Sequence, residues 1–290
     1  MQLRQALNAA IERLTANRVP SPRMNAELLL RFVLVCDRAY LFAHPERELT
    51  SEEMARYDEV LTRRATGVPA QYITGHQEFW GLDLIVTPAV LIPRPETEHV
   101  VETVLELAHD SVSGSESRAG TSAAHLCLVD VGTGSGAIAL ALATEFPDAE
   151  IHASDISTAA LEVARANASR HEFSERIHFH QADLLAGFDF GPFDFVVSNP
   201  PYVGESEEDQ VQLEVRRFEP RNAVFAGATG LEVIERFIPQ AHGALRPGGW
   251  LVFEISGTIA GQIPPLLLGW SDVRITTDLQ GIARVVRARK

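Results

Sequence analysis

Between residues 126 and 136 the chain passes from a mainly apolar run, Leu126 to Val131, directly into Gly132-Thr133-Gly134-Ser135-Gly136, and then into the apolar stretch Ala137 to Phe146. Glycines at that junction let the backbone turn sharply and approach a ligand with no side chain in between. A strand that feeds a glycine turn and a helix belongs to a parallel sheet with ligands at the carboxyl ends of its strands. The unit then recurs: strands at Ile151–Ser154, Ile177–His180, Phe193–Ser198 and Trp250–Ile255, helices at Thr158–Arg170 and Leu231–Leu245, and a closing strand pair at 273–276 and 283–288. This alternation predicts an α/β, Rossmann-like domain: a mainly parallel sheet with helices on both faces.

The N-terminal part reads differently. Leu3, Ala6, Leu7, Ala10, Ile11 and Leu14 follow helical spacing, as do Ala26, Leu29, Leu30, Val33 and Leu34 after Ser21-Pro22. A third helix opens at Thr50-Ser51-Glu52-Glu53. The expected organisation is a helical bundle over 1–75, a β-hairpin connector over 76–93 with its turn near Gly81, and the α/β domain over 94–290. Residues 110–124 are small and polar and read as a mobile linker. Cys36 and Cys127 sit in apolar runs and are expected as buried, reduced thiols without metal-ligand spacing. His171, His178 and His180 are taken as surface or edge residues. The N-terminus has no apolar signal core and no run approaches a membrane span, so a cytoplasmic protein is expected.

The loop alone also satisfies the dinucleotide pattern through Gly132, Gly134 and Ala137, so nicotinamide and methyl-donor readings compete. Three carboxylates bear on the choice. Asp155 closes the next strand, where an acid accepts ribose hydroxyls with either cofactor. Asp183 follows the third strand, near where an adenine edge would lie. Asp130, two residues before Gly132, is unwelcome beside a pyrophosphate but suits the ammonium of a methionine moiety. The set favours S-adenosylmethionine, held by Asp130, Gly132, Thr133, Gly134, Ser135, Gly136, Asp155 and Asp183.

The strand Phe193–Ser198 ends in Asn199-Pro200-Pro201-Tyr202. Two prolines remove two backbone donors and fix φ, so carbonyl oxygens are presented rigidly. The Asn199 side-chain oxygen and the Pro200 carbonyl together can accept both hydrogens of an –NH2 group, and Tyr202 offers a flat face for a planar amide or base. An amide nitrogen is a poor nucleophile because its lone pair is delocalised. Gripping both hydrogens aims that nitrogen and stabilises the charge that grows on it. A net charge of −14 and the lack of any Lys/Arg-rich segment weigh against DNA, which otherwise offers the adenine exocyclic amine to the same turn.

The chain resembles the HemK/PrmC family of protein glutamine methyltransferases over nearly its whole length. The segments that carry the likeness are Gly67-Val68-Pro69-Ala70-Gln71-Tyr72-Ile73-Thr74-Gly75, Glu78-Phe79-Trp80-Gly81-Leu82, Leu91-Ile92-Pro93-Arg94-Pro95-Glu96-Thr97-Glu98, the glycine loop, Ser198 to Tyr202, Arg217-Phe218-Glu219-Pro220 and Pro247-Gly248-Gly249. Phe218, where tyrosine is common, and the long polar linker are the departures. The resemblance implies a class I methyltransferase fold and methylation of the glutamine amide in the Gly-Gly-Gln motif of peptide chain release factors. It also implies Leu184 over the adenine, Asn199 serving both cofactor and substrate, and an N-terminal domain that helps dock the release factor. Arg94 and Glu96 are expected chiefly as structural braces. A monomer is expected, with no membrane, metal or direct nucleic-acid partner. The rival expectations are a glutamine methyltransferase of a ribosomal protein, a DNA adenine methyltransferase, and a non-catalytic cofactor-binding module.

Overall fold

The computed structural model describes residues 1–113 and 125–290, and these divide into two compact units. The first comprises residues 1–76 together with 212–218. Its helices are α1 (Leu3–Ala16), α2 (Pro22–Leu34), α3 (Arg38–Ala43), α4 (Ser51–Ala65) and α5 (Ala70–Thr74). The apolar faces read from the sequence are its core: Leu3, Leu14, Leu29 and Leu30 are at most 1% exposed. Thr50 and Glu53 cap α4 reciprocally, Glu53 N–H to Thr50 Oγ1 at 3.2 Å and Thr50 N–H to Glu53 Oε2 at 2.9 Å, which satisfies two amides that the first turn leaves orphaned. Periodicity did not show α3 and α5, because six and five residues are too short to carry it.

Residues 212–218 join this unit although the sequence places them deep in the α/β part. Arg64 gives the reason. Its guanidinium is buried and needs a counter-charge. It donates to Asn25 Oδ1 at 2.7 Å, to the Val68 carbonyl at 3.1 Å and to Glu214 Oε2 at 2.7 Å.

The second unit, 77–211 with 219–290, opens with the hairpin of β1 (His76–Phe79) and β2 (Leu82–Ile85). Then come α6 (Glu98–Ser113), β3 (Cys127–Val131), α7 (Ala137–Glu145), β4 (Glu150–Asp155), α8 (Thr158–Arg170), β5 (Ile177–Gln181), β6 (Phe193–Ser198) and the short β7 (Val203–Gly204). Beyond α9 (Leu213–Phe218) of the first unit follow α10 (Arg221–Val224), β8 (Phe225–Gly227), α11 (Glu232–Ala244), β9 (Leu245–Glu254), α12 (Ile263–Leu266), β10 (Ser271–Thr277) and β11 (Ala283–Arg289). Of the expected linker, 110–113 continue α6, and 114–124 lie outside the described residues.

Seven strands form one sheet in the order β10-β11-β9-β6-β3-β4-β5. The run from β9 to β5 is parallel and β11 is antiparallel to β9. Successive strand residues alternate between two cores. Leu128, Phe195 and Val197 pack with α6 and α7, whereas Val129, Val196 and Phe253 pack with α11. Burial on both faces explains why these strands read as continuous apolar runs rather than alternating ones.

Candidate functional site

The carboxyl ends of β3, β4 and β6 are tied by buried polar groups. The Ser154 carbonyl accepts from Gly132 N–H and Thr133 N–H at 2.8 and 2.9 Å. Ser154 Oγ donates to the Leu184 carbonyl at 3.0 Å, and Ser198 Oγ to the Val131 carbonyl at 2.7 Å. Fully buried Asn167 donates to the carbonyls of Ser135 at 2.9 Å and Ile85 at 3.0 Å, fastening the glycine loop to the hairpin.

Above these ends lies a cavity of about 490 Å³. On its wall are Gly132, Thr133, Gly134, Ser135, Asp155, Asp183, Leu184, Asn199 and Pro201 of the expected site residues. Gly132 and Gly134 have φ of +71° and +55°, and a Cβ on either would meet no atom within 4 Å. Open space over a left-handed backbone is the cradle that a closely approaching ligand requires. Asp155 accepts Gly134 N–H at 2.9 Å and Ser157 N–H at 2.8 Å, one on each oxygen, and each oxygen keeps a lone pair for a hydroxyl. Burial pushes its carboxyl above the ordinary range. Asp183 is ion-paired with Arg236, another wall residue that no motif singles out. Leu184 has φ +59°, a conformation that strains a branched side chain and that the Ser154 bond helps to hold.

Four expected residues stand off the wall. A Cβ on Gly136 would lie 2.6 Å from Leu140 Cδ1 and 3.3 Å from Ala164 Cβ, so that glycine serves helix packing. Asp130 is 1% exposed beneath the loop and accepts from Thr133 Oγ1 at 2.6 Å and Ala139 N–H at 3.2 Å. Its Oδ1 has no partner, and burial raises its carboxyl to about 7. Pro200 is buried. Tyr202 packs against the core under α11, and its hydroxyl donates to Glu254 Oε1 at 2.9 Å. The ring is not on the wall, and its hydroxyl is engaged in that part-buried hydrogen bond. Burial and the Glu254 charge hold the phenol well above its usual range.

Thr97 and Glu254 were not anticipated. Asn199 Nδ2 is 2.9 Å from Thr97 Oγ1, which is 2.6 Å from Glu254 Oε2. Glu254 is 1% exposed, and a lone carboxylate closing the apolar strand β9 was the available signal. Arg94 is bonded within the second unit rather than across a hinge: Glu219 accepts from Arg94 Nη2 at 2.5 Å and from Ile92 N–H at 3.1 Å.

Elsewhere, Cys127, Glu150 and His152 bring potential ligand atoms within 4.8 Å of one another, a grouping invisible as sequence spacing. Burial raises the Cys127 thiol to about 12, which leaves it protonated. Cys36 and Cys127 are free and partly rather than fully buried. His180 is likewise half-buried, with its Nε2 3.0 Å from His152 Nδ1. Among the described residues no helix is long and apolar enough to cross a membrane.

Comparison with known proteins gives a consistent picture. Residues 5–75 match the PrmC N-terminal domain family and residues 121–217 the methyltransferase small domain family. A release factor glutamine methyltransferase of Koribacter versatilis is 52% identical, with 100% of this chain and 99% of that protein covered. One of Moorella thermoacetica is 44% identical over 90% and 88%. In fold alone, the chain is similar to the hMettl16 catalytic domain in complex with a 3′UTR hairpin, with a TM-score of 0.56, 16% identity, and 79% and 81% of the two chains covered. A class I methyltransferase sheet, a glycine cradle open to a cavity, Asn199 and Pro201 of the Asn-Pro-Pro-Tyr turn on the same wall and full-length relatives at this identity converge: the chain belongs to the family of release factor glutamine methyltransferases.

Proposed function

We propose that this protein transfers a methyl group from S-adenosylmethionine to the side-chain amide nitrogen of the glutamine in the Gly-Gly-Gln motif of peptide chain release factors. The observation that carries the reading is the sharing of one cavity by Asn199 and the open cradle of Gly132 and Gly134. A cofactor site at the glycine loop and an amide site at the proline turn then open on a common space.

The residues fit the cofactor. Gly132 and Gly134 admit it against the backbone, Asp155 has lone pairs for the ribose hydroxyls, and Asp183 and Leu184 lie where the adenine would be flanked. The unpartnered Oδ1 of Asp130 lies beneath the same loop, and an ammonium group, directly or through water, would give it a partner. When bound, S-adenosylmethionine supplies a methyl group on a cationic sulfur.

The chain's own work is on the amide. Asn199 Oδ1 and the Pro200 carbonyl accept its two hydrogens, which orients the nitrogen and concentrates negative potential where positive charge develops. With the cofactor bound, forming the nitrogen–methyl bond would break the sulfur–methyl bond, whose electron pair stays on a neutral thioether; the nitrogen would become cationic and lose one of its hydrogens as a proton to solvent. No strong base is needed beforehand. Tyr202 acts here through its bond to Glu254 rather than as a stacking face.

The acidic surface, with a net charge of −14, supports a protein rather than a DNA acceptor. The reading includes a role in docking for the helical unit, and a monomer working in the cytoplasm. Transfer of labelled methyl from the cofactor to purified release factor tests it. Labelling of release factor, and none of duplex DNA, is expected. Labelling of DNA or of a ribosomal protein in place of release factor would overturn it.

A further inference from the structure

Rotating an asparagine amide by half a turn exchanges oxygen for nitrogen with almost no change of shape, so the surrounding hydrogen bonds decide which end meets a ligand. At Asn199 that decision is critical. Only the oxygen can accept from an incoming –NH2; the nitrogen would set donor against donor. The residues around the turn make the choice.

We propose that Thr97 and Glu254 are positioning residues that lock the Asn199 amide with its oxygen toward the substrate. When ionised, the Glu254 carboxylate is an acceptor only. Its Oε2 takes the Thr97 hydroxyl hydrogen at 2.6 Å and its Oε1 that of Tyr202 at 2.9 Å. Having given its hydrogen to Glu254, Thr97 Oγ1 can only accept from Asn199, and the group 2.9 Å away must be Nδ2. No hydrogen bond among the described residues engages Oδ1, which is left for the cavity that Asn199 lines. Three segments far apart in the chain thus set one bit of information: the turn at Pro95–Thr97, the end of β6 and the end of β9.

The lock has a direction that protonation can reverse. A proton on Glu254 Oε2 would be donated to Thr97 Oγ1. The Thr97 hydroxyl would then donate to Asn199, drawing Oδ1 inward and turning the –NH2 to the substrate. The groups facing Glu254 are Thr97, Tyr202, the Glu96 carboxylate and the Arg284 guanidinium, itself held by Asp278 at 2.8 Å. Burial raises the Glu254 carboxyl above the ordinary glutamate range, outweighing the two hydrogen bonds that lower it. An acid limb of activity should therefore stand above that range too.

The inference rests on the amide-methyltransferase reading and fails separately from it, because wild-type protein that does not methylate release factor refutes that reading before any variant is made. With wild type active, the test compares Thr97→Val, nearly isosteric but without the hydroxyl, with Thr97→Ser, which keeps it. Thr97→Val should lower kcat on purified release factor by about 10–100-fold, as for loss of one oriented catalytic hydrogen bond. Cofactor Kd by calorimetry should hardly change, Tm should fall by a few degrees in Thr97→Val because a buried Glu254 oxygen loses its donor, and Thr97→Ser should restore Tm and bring kcat to within about threefold. Equal kcat in wild type and Thr97→Val, or equal losses in Val and Ser, would overturn the lock. Glu254→Gln provides a second arm. Its amide can turn either its oxygen or its –NH2 to Thr97, so the lock loses its direction: kcat should fall at least about twofold and the acid limb of kcat should vanish. An acid limb unchanged in Glu254→Gln would refute the role of Glu254.

Discussion

At the glycine-loop end of the cavity the ligand-facing surface is mainly backbone from one short stretch, Gly132 to Ser135, steadied by Asp155 and buried Asn167. At the Asn199 end one of the two proposed acceptors is a side-chain oxygen, and the amide that carries it is bonded to Thr97 and through it to Glu254, separated from each other by 157 positions. Backbone geometry is tolerant of what surrounds it, because glycine conformation and the carbonyls of adjoining strands fix it locally. A side-chain relay is not, since each hydroxyl serves only while its neighbours keep their own donor and acceptor roles. The cofactor end should thus fail by loss of affinity, and the acceptor end by loss of turnover.

Asn199→Ala offers the largest effect. It should lower kcat/KM for release factor by at least about 1,000-fold, because the grip acts on charge that exists only in the transition state. Cofactor Kd should change by less than about tenfold, a bound that allows for one lost contact. Steady-state kinetics beside calorimetry would measure both, and near-normal turnover would break the contrast. Asp155→Ala is the counterpart. Losing hydrogen bonds to a carboxylate should weaken cofactor binding about 100-fold, while KM for release factor stays within about twofold. Unchanged cofactor affinity would remove Asp155 from its ribose role.

Much of this was legible in the sequence, for a physical reason. The glycine loop and the Asn-Pro-Pro-Tyr turn are contiguous, and glycine and proline state their backbone requirements in their own chemistry. The alternation of strands and helices gave the parallel sheet, and Thr158–Arg170 and Phe193–Ser198 end where periodicity placed them. The relay was not legible, since nothing near Thr97 announces Glu254. Nor could spacing reveal that Gly136 answers to Leu140 and Ala164 rather than to a ligand, or that residues 212–218 cluster with the helical unit around Arg64. Nor does the turn itself show that the Tyr202 hydroxyl donates to buried Glu254.

Two smaller effects sharpen the division. Gly136→Ala should destabilise the fold by about 2–3 kcal/mol, through the 2.6 Å approach to Leu140 and the left-handed φ of +84°. The folded fraction should bind cofactor normally. Gly134→Ala, whose Cβ meets nothing in the protein, should cost only about 1 kcal/mol in stability yet weaken cofactor binding at least about tenfold. Thermal unfolding and calorimetry on both variants would show it, and the reverse pattern would contradict the cradle.

Asp130 gives the smallest effect and a sign. Its folded carboxyl titrates at about 7, above its unfolded value of 3.8, so the folded state holds the proton more tightly. Its contribution to stability is present in full below the unfolded value and is lost as pH rises through about 7. Without cofactor, stability should fall over that interval, and Asp130→Asn should flatten the fall, read as Tm against pH. An identical slope in the variant would show that Asp130 does not titrate there.

The central claim is methylation of a glutamine amide, and mass spectrometry of release-factor peptides after incubation with enzyme and S-adenosylmethionine tests it most directly. The account predicts one added methyl group on the glutamine of the Gly-Gly-Gln peptide, and none when that motif is Gly-Gly-Ala. A methyl group on any other residue, or an unmodified glutamine beside an active enzyme, would contradict it.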